Sequence, residues 1–173
     1  MQETLQDIKG RRSCRKFLDR QIDAETLNSI LEAGTWAATG RGMQSPIMIV
    51  VQDKPTLEKL SKMNAAILGV ESDPFYGAPT CVIVLADASR PTCLEDGSLV
   101  MGNLMLAAYA AGAASCWIHR AREVFASEEG KAMLRAWGIE GDYVGIGHCA
   151  LGYAAEGGLA PAKPRKEGYI IRV

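Results

Sequence analysis

Hydrophobic positions along the chain follow two patterns, helical spacing and short continuous runs. Leu27, Ile30 and Leu31 recur every three to four residues after Asp23, a good N-cap, which predicts an amphipathic helix. The runs 47–51 and 81–85 are apolar and rich in β-branched residues, which is typical of strands covered on both faces. Further helices are predicted over 4–9, 53–67, 96–113 and 127–137, and further strands over 115–118, 142–153 and 169–173.

The order of these elements bears on the fold class. Helices and strands are mixed along the chain, with two helices between some strands and hairpin-length gaps between others. This order favours an α+β layered fold over a strictly doubly wound one. The chain has 173 residues and shows no repeat or linker, so residues 1–173 are predicted to form a single domain.

Residues 97–118 carry no charge, and a segment of this length could in principle cross a bilayer. However, Ser98, Asn103, Ser115 and three glycines dilute it, and six of its 22 residues are small alanines. A helix buried inside a globular protein has the same appearance. We therefore predict a buried central helix and no contact with a membrane.

Composition excludes several classes of function. Charged residues make up 23% of the chain and hydrophobic residues 48%, as in ordinary soluble proteins. The net charge of -1 argues against nucleic acid as a partner, because binding to a phosphate backbone needs a strongly positive face. Five scattered cysteines form no CxxC pair and no metal-ligand spacing, and the acidic start lacks a signal-peptide profile. These features predict reduced thiols, no metal site and a cytoplasmic protein.

A basic cluster stands out at residues 11–17, which read Arg-Arg-Ser-Cys-Arg-Lys-Phe. Like charges this close repel one another unless an anion lies between them. The planar fork of arginine suits phosphate oxygens, and Ser13 can add a neutral donor. A small phosphate-bearing ligand is one interpretation, and a solvated basic turn after a short helix is the other.

Two further stretches suit a flat anionic ligand. Residues 37–42 form a glycine-rich loop whose small side chains let the backbone approach such a ligand closely, although a surface turn has the same composition. Lys163 and Arg165 offer a point charge and a bidentate fork, but alone they would form an ordinary solvated loop. The sequence shows no dinucleotide-binding glycine fingerprint, no Walker loop and no paired-carboxylate site.

Taken together, these stretches resemble the FMN-dependent nitroreductase family, in the right order and over nearly the whole chain. The resemblance rests on five stretches: R-R-S-x-R-x-F at 11–17, the loop 38–46, the helix 102–108, the strand 114–118 and K-P-R at 163–165. It implies a layered fold in which helices flank a central mixed, mainly antiparallel sheet. It also implies a homodimer with FMN as cofactor and NADH or NADPH as electron donor.

The same resemblance implies which residues contact the cofactor. Its phosphate and ribityl chain would be held by Arg11, Arg12, Ser13, Arg15, Lys163 and Arg165. The ring would be surrounded by Thr39, Gly40 and Gln44 of one subunit, by Ile118 and His119 of the other, and by Asn64 at its polar edge. The loop departs from the family at Ala38, at Gly42 and at Ser45-Pro46. No catalytic side chain is expected, because the flavin carries the redox chemistry.

The expected function is therefore an FMN-dependent oxidoreductase that passes electrons from NADH or NADPH to a small acceptor, such as a nitroaromatic or a quinone, in a ping-pong cycle. Three alternatives stay open at this point. One is a specialised relative, such as a dehalogenase or dehydrogenase, that uses the same flavin site. Another is a flavin-binding sensor, which would not turn over a reduced nicotinamide. The third is a structural α+β domain, which would be colourless when purified.

Overall fold

The chain forms a four-stranded sheet with helices on both faces, in a computed structural model that describes residues 2–173. The helices are α1 (Gln2–Gly10), α2 (Ala24–Thr35), α3 (Lys54–Leu68), α4 (Cys93–Ala110), α5 (Ala121–Ala126) and α6 (Glu128–Ala136). The strands are β1 (Pro46–Val51), β2 (Thr80–Asp87), β3 (Ala114–Ile118) and β4 (Tyr143–Gly152). A 3-10 turn covers Gly40–Gly42.

The strands lie in the order β1-β2-β4-β3, and every neighbouring pair is antiparallel. A β-bulge in β4 shifts the register, because Val84 and Leu85 pair with Gly147 and Gly145. The segment 11–17 runs beside β3, to which it is joined by a parallel bridge between its Ser13 and Ser115. The predicted α+β fold with a mainly antiparallel sheet is confirmed, and the basic segment lies at the edge of that sheet.

Both faces of β2 are covered, as its continuous apolar run predicts. Ile83 and Leu85 point into a core shared with α3, α5 and α6. Val82 and Val84 point into a second core, shared with α2 and α4. All four side chains are 0% exposed. Successive side chains of β2 therefore point to opposite faces of the sheet, and on each face they pack against a layer of helices.

Glycines inside β4 allow two close approaches. A Cβ at Gly145 would lie 2.2 Å from the carbonyl carbon and oxygen of Ala121, at the start of α5. A Cβ at Gly147 would lie 2.5 Å from Nε1 of Trp117, on the neighbouring strand. These glycines serve packing inside a strand, which agrees with the prediction that they form no phosphate-binding turn.

The uncharged segment 97–118 forms most of α4 and all of β3. Met101 and Leu104 of α4 are fully buried against the sheet, whereas Leu99 is 49% exposed on the outer side of the helix. The helix begins three residues before the predicted start and ends before Gly112, whose φ of 74° suits glycine. Across residues 2–173, we find no helix with both the length and the apolarity needed to cross a bilayer.

Two predictions about elements were wrong. The predicted strand 169–173 is irregular and exposed, because a β-branched run forms a strand only beside a partner strand, and this segment has none within residues 2–173. The helix α5 was not predicted, since it has six residues and follows Arg120, which has a φ of 72°. The remaining predicted helices and strands are present, with ends shifted by a few residues.

Candidate functional site

The basic segment 11–17 is held on both sides by main-chain hydrogen bonds. The N–H of Cys14 donates to the carbonyl of Ser115 in β3 at 2.8 Å, and the N–H of Arg15 donates to the carbonyl of Gly158 at 2.9 Å. The segment therefore has a fixed backbone. It buries Cys14 and leaves the side chain of Arg15 exposed to a ligand or solvent.

The first two arginines of this segment have different surroundings. Arg12 Nη1 donates to the carbonyls of Lys9, Gly10 and Arg11 at 2.7, 3.1 and 2.7 Å, so it covers the C-terminal end of α1. Arg11 Nη1 is buried and has no hydrogen-bond acceptor within residues 2–173. A buried cationic N–H without an acceptor is unfavourable. Arg11 is therefore placed to bind an acceptor from outside the chain.

The loop that carries Thr39, Gly40 and Gln44 has a tight, left-handed backbone. Arg41 and Gln44 have φ values of 54° and 50°, and Gly42 has a φ of 67°. The hydroxyl oxygen of Thr39 accepts the N–H of Gln44 at 3.0 Å, which closes the loop on itself. A cavity of about 160 Å³ lies beside the loop, with Thr39 and Gln44 in its wall.

The end of β3 is held by a buried polar contact. Ile118 is buried, and His119 is exposed where the strand ends. The side chain of Asn64 donates to the carbonyl of His119 at 2.7 Å, and Arg120 Nε donates to Asn64 Oδ1 at 3.1 Å. Asn64 is 0% exposed, so its amide fixes the turn after β3 from the buried side of that turn.

A second histidine lies in the core near this turn. His148 is 0% exposed, and its ring packs 5.2 Å from that of Phe75 and 6.0 Å from that of Phe125, between ring centres. Neither ring nitrogen has a hydrogen bond of good geometry within residues 2–173, and the nearby carbonyls of His119 and Ile118 offset the effect of burial on the pKa only in part. Burial lowers the pKa of His148 to about 4, so the ring is neutral at neutral pH. His148 is therefore a core residue that is uncharged at neutral pH and gains a proton only in acid.

The buried cysteines offer no reactive thiolate. Burial raises the pKa of Cys149 to about 12 and raises that of Cys81 well above its ordinary value. The pKa values of Cys14 and Cys116 are also raised by burial. A protonated thiol is a weak nucleophile. These four residues therefore serve packing rather than covalent chemistry.

The second basic pair lies in the exposed C-terminal segment. Arg165 Nη2 donates to the carbonyl of Lys163 at 2.6 Å, and both residues are exposed. Leu159 is joined to Cys14 of the basic segment by an antiparallel bridge. Lys163 is four residues further on, which is at most about 14 Å along the chain. The pair is thus tethered close to the basic segment, although within residues 2–173 no hydrogen bond or ion pair to that segment fixes its side chains there.

These features can be compared with known proteins. A sequence model of the Nitroreductase family matches residues 8–153. This chain belongs to the nitroreductase family. The predicted family is thereby confirmed, and the matched range includes all the predicted site residues except Lys163 and Arg165.

Relatives of this nitroreductase-family chain extend the comparison. A protein from Archaeoglobus fulgidus, provisionally named NADH dehydrogenase/NAD(P)H nitroreductase, is 33% identical over 88% of this chain and 86% of its own length. A protein of the same name from Methanothermobacter thermautotrophicus is 29% identical over 66% of this chain. The matched region covers 60% of that relative's own length. A crystal structure of a nitroreductase from Bacteroides fragilis with bound FMN has a TM-score of 0.90 and 33% identity, with 99% of this chain and 98% of that one covered.

Among the predicted site residues of this family member, the structure groups some and separates others. Arg11, Arg12, Ser13 and Arg15 share one segment at the β3 edge, and Ile118 and His119 lie at the C-terminal end of β3. The loop between α2 and β1 holds Thr39, Gly40 and Gln44. The strand that follows this loop, β1, lies at the opposite edge of the sheet from β3. Within one chain, the two groups therefore belong to opposite edges of the sheet.

Sequence reasoning missed Asp96, whose buried carboxylate bonds to the loop 39–45. It named Arg120, as a residue expected over the ring, but missed its hydrogen bond to Asn64. One signal for Asp96 was available, since a charged residue at the start of an otherwise apolar helix must find donors if it is buried. The pairing of Arg120 with Asn64 depends on how α3 packs, and no local pattern contains it.

Proposed function

We propose that this chain is an FMN-dependent oxidoreductase that takes electrons from NADH or NADPH and passes them to a small acceptor of the nitroaromatic or quinone class. The observation that carries the proposal is Arg11 Nη1, which is buried without an acceptor within residues 2–173. It lies in a segment with three further cations. A phosphate group offers the charged oxygens that such donors need. The FMN bound to the 33% identical Bacteroides fragilis protein supports the choice of ligand.

The residues at the β3 edge fit the phosphate end of FMN. Arg11, Arg12, Ser13 and Arg15 would hold the phosphate and ribityl chain, and the tethered pair Lys163 and Arg165 would close over them. FMN fits better than FAD, because the cations surround one small area and the sequence has no glycine fingerprint for a pyrophosphate. The buried Nη1 of Arg11 would gain its missing acceptor in the complex.

The ring end of the site would use two subunits. Ile118 and His119 of one subunit would lie beside the ring, and Thr39, Gly40 and Gln44 of the other would close it. FMN, when bound, would supply the redox chemistry, so no titrating side chain is required for hydride transfer. The exposed His119 would help to hold the donor or acceptor.

Donor and acceptor would use one open slot in turn. The sequence carries no second nucleotide fingerprint that would give the nicotinamide a separate site. Two substrates that share one slot cannot bind together. Ping-pong kinetics are the expected consequence.

A homodimer would bring the two halves of the site together. The outer sides of α1 and α4 and the C-cap of α2 expose apolar side chains that one chain leaves uncovered: Leu5, Ile8, Trp36, Leu99 and Tyr109. A two-fold interface would bury them. The exposed tail 169–173 is rich in β-branched residues and could add a strand to the partner. We further propose that residues 1–173 act as one FMN-binding domain in the cytoplasm.

The test begins with the visible spectrum of the purified protein. Denaturation should release FMN, identified by chromatography, and release of FAD would contradict the cofactor. Anaerobic mixing with NADH or NADPH should bleach the flavin, and addition of a quinone or nitroaromatic should restore its colour. A flavin that neither nicotinamide bleaches would contradict the oxidoreductase and favour a sensor. A colourless protein that takes up no added flavin would favour a structural domain.

A further inference from the structure

The carboxylate of Asp96, in the first turn of α4, is bonded to the loop 39–45. Its Oδ1 accepts the main-chain N–H of Gly40 at 2.8 Å, and its Oδ2 accepts the hydroxyls of Ser45 at 2.9 Å and Thr92 at 3.2 Å. Asp96 is 3% exposed. A buried carboxylate with three donors is a firm anchor, because removing it would leave those donors unpaired.

The loop needs an anchor because its own backbone is strained. Arg41 and Gln44 have φ values of 54° and 50°, in the left-handed region that residues with a side chain rarely adopt. Within the loop, the N–H of Gly42 donates to the carbonyl of Thr39 at 3.0 Å. Such internal bonds close the loop on itself, whereas the bonds to Asp96 attach it to α4.

Close packing supports the same conclusion independently. Thr92 is the N-cap residue of α4, and a Cβ at Gly40 would lie 2.3 Å from its hydroxyl oxygen. The backbone at Gly40 therefore lies directly against the side chain of Thr92, which would have to shift to admit a Cβ. The loop is docked by contact as well as by hydrogen bonds.

We propose that Asp96 is a positioning residue for the FMN site, which fixes Thr39, Gly40 and Gln44 at the ring of the flavin. The inference rests on the proposed function, because the loop faces FMN only if the chain binds it as proposed. Asp96 is buried beneath the loop, so we expect it to act through the loop and not by contact with the flavin. Its loss should change the surroundings of the ring and leave the basic segment 11–17 in place.

The first measurement is hydrogen exchange in the flavin-free protein, with Asp96→Ala and Asp96→Asn compared to Asp73→Ala. Asp73 is a matched control, because it also accepts three hydrogen bonds in a different loop. Peptides covering 39–45 should exchange about tenfold faster in Asp96→Ala and at the parent rate in Asp73→Ala. Asp96→Asn keeps an oxygen for the N–H of Gly40 and should restore part of the protection.

The second measurement uses the protein with FMN bound. Asp96→Ala should shift the visible absorption and circular dichroism of the flavin. It should also raise the KM for a quinone acceptor about tenfold, with the dissociation constant of FMN changed by less than about threefold. Asp73→Ala should leave the spectrum at its parent shape. A raised acceptor KM with an unchanged FMN affinity indicates a positioning role, whereas a general loss of stability would weaken FMN binding as well.

The outcomes are distinguishable. Parent-like exchange over 39–45 in Asp96→Ala would overturn the anchor, whatever the flavin does. Faster exchange with an unchanged flavin spectrum and acceptor KM would overturn the link to the site. If Asp96→Ala does not fold, Ser45→Ala removes one of the three bonds, and the same two measurements decide with that variant. A parent protein that binds no FMN would contradict the proposed function, and with it the link to the flavin, even where exchange supports the anchor.

Discussion

The side-chain amide of Asn64 donates a 2.7 Å hydrogen bond to the main-chain carbonyl of His119. Its oxygen accepts a 3.1 Å hydrogen bond from Arg120, and the residue is fully buried. The helix α3 thus fixes the turn after β3, where Arg120 has a φ of 72°. Because this turn carries His119, the placement of the proposed ring site depends on a residue that lies below the surface.

We expect Asn64→Ala to lower the free energy of unfolding by about 1–3 kcal/mol, because it leaves the carbonyl of His119 and Nε of Arg120 unpaired. Urea unfolding of the flavin-free protein measures this. Ser98→Ala is the control, since Ser98 is exposed and bonds only along its own helix; we expect a change within about 0.5 kcal/mol. If Asn64→Ala weakens FMN binding at unchanged stability, a direct contact with the flavin would replace the positioning role.

Arg11 and Arg12 are neighbours that should differ in what they contribute to the stability of the flavin-free protein. Arg11→Ala removes a buried N–H that lacks an acceptor, so the flavin-free protein should lose no stability. Its FMN affinity should fall about tenfold to a hundredfold. Arg12→Ala removes the bonds to the end of α1 and should lower stability by about 1 kcal/mol. Thermal melts without FMN and fluorescence titrations with it separate the two, and unchanged affinity in Arg11→Ala would contradict the proposed phosphate site.

The two halves of the phosphate clamp can be tested separately. Arg15→Ala and Lys163→Ala each remove one charge-assisted hydrogen bond to the phosphate, so each should cost about 1.5–3 kcal/mol of FMN binding. Both side chains are exposed, so the fold should be unaffected. Lys166→Ala is the control, because that ammonium lies 5.3 Å from the ring centre of Tyr169. Parent-like FMN affinity in both variants would show that the clamp is wrong.

Local patterns were sufficient to predict most of the fold. The apolar run of β2 predicts a strand covered on both faces, and Asp23 predicts the start of α2, where its carboxylate accepts the N–H of Thr26. The tail 169–173 shows where local patterns fail. Its β-branched run predicts a strand, yet strand formation requires a neighbour that residues 2–173 do not supply.

The candidate site was predictable only where the chemistry lies in consecutive residues. The segment 11–17 has four cationic side chains in seven consecutive residues, so the sequence alone predicts that it binds an anion. Asp96 and the loop 39–45 are brought together by the packing of α4, across 56 positions between the bonded pair Asp96 and Gly40. The position of Asp96 in an apolar helix hints that it needs donors, but no local pattern indicates that the loop 39–45 supplies them. Nor does any local pattern pair Asn64 with the turn after β3.

The proposed dimer makes a prediction about α4. Leu99 is 49% exposed on its outer side, and Leu99→Glu should place a charge in the interface and give a chain of 18.6 kDa in light scattering where the parent has twice that mass. Ile67→Glu is the control, because Ile67 is 42% exposed on α3 and should leave the dimer intact. A parent that is monomeric and still holds FMN would contradict the two-subunit site.

His148 makes the stability of the fold sensitive to mild acid. Burial lowers its pKa from 6.5 to about 4, so below pH 6.5 the unfolded chain binds a proton that the folded chain does not. The free energy of unfolding should therefore fall as the pH drops from 6.5 to 4, by about 3 kcal/mol in total.

Three aspartates, Asp23, Asp53 and Asp87, should affect the stability only at lower pH than His148 does. Hydrogen bonds, chiefly from Thr26, Thr56 and Ser89, lower their pKa values, so their contribution is lost only below about pH 3.8.

Urea unfolding at several pH values between 7.5 and 4.5 measures this dependence. His148→Leu should flatten it, because the variant has no imidazole to protonate in the unfolded state, and it also removes two buried nitrogens without partners. Its stability at pH 7.5 should be close to that of the parent, since the apolar side chain fills most of the space between Phe75 and Phe125. The control is His119→Gln, which removes the exposed imidazole and should keep the loss in acid. An unchanged slope in His148→Leu would show that other groups destabilise the fold between pH 6.5 and 4.5.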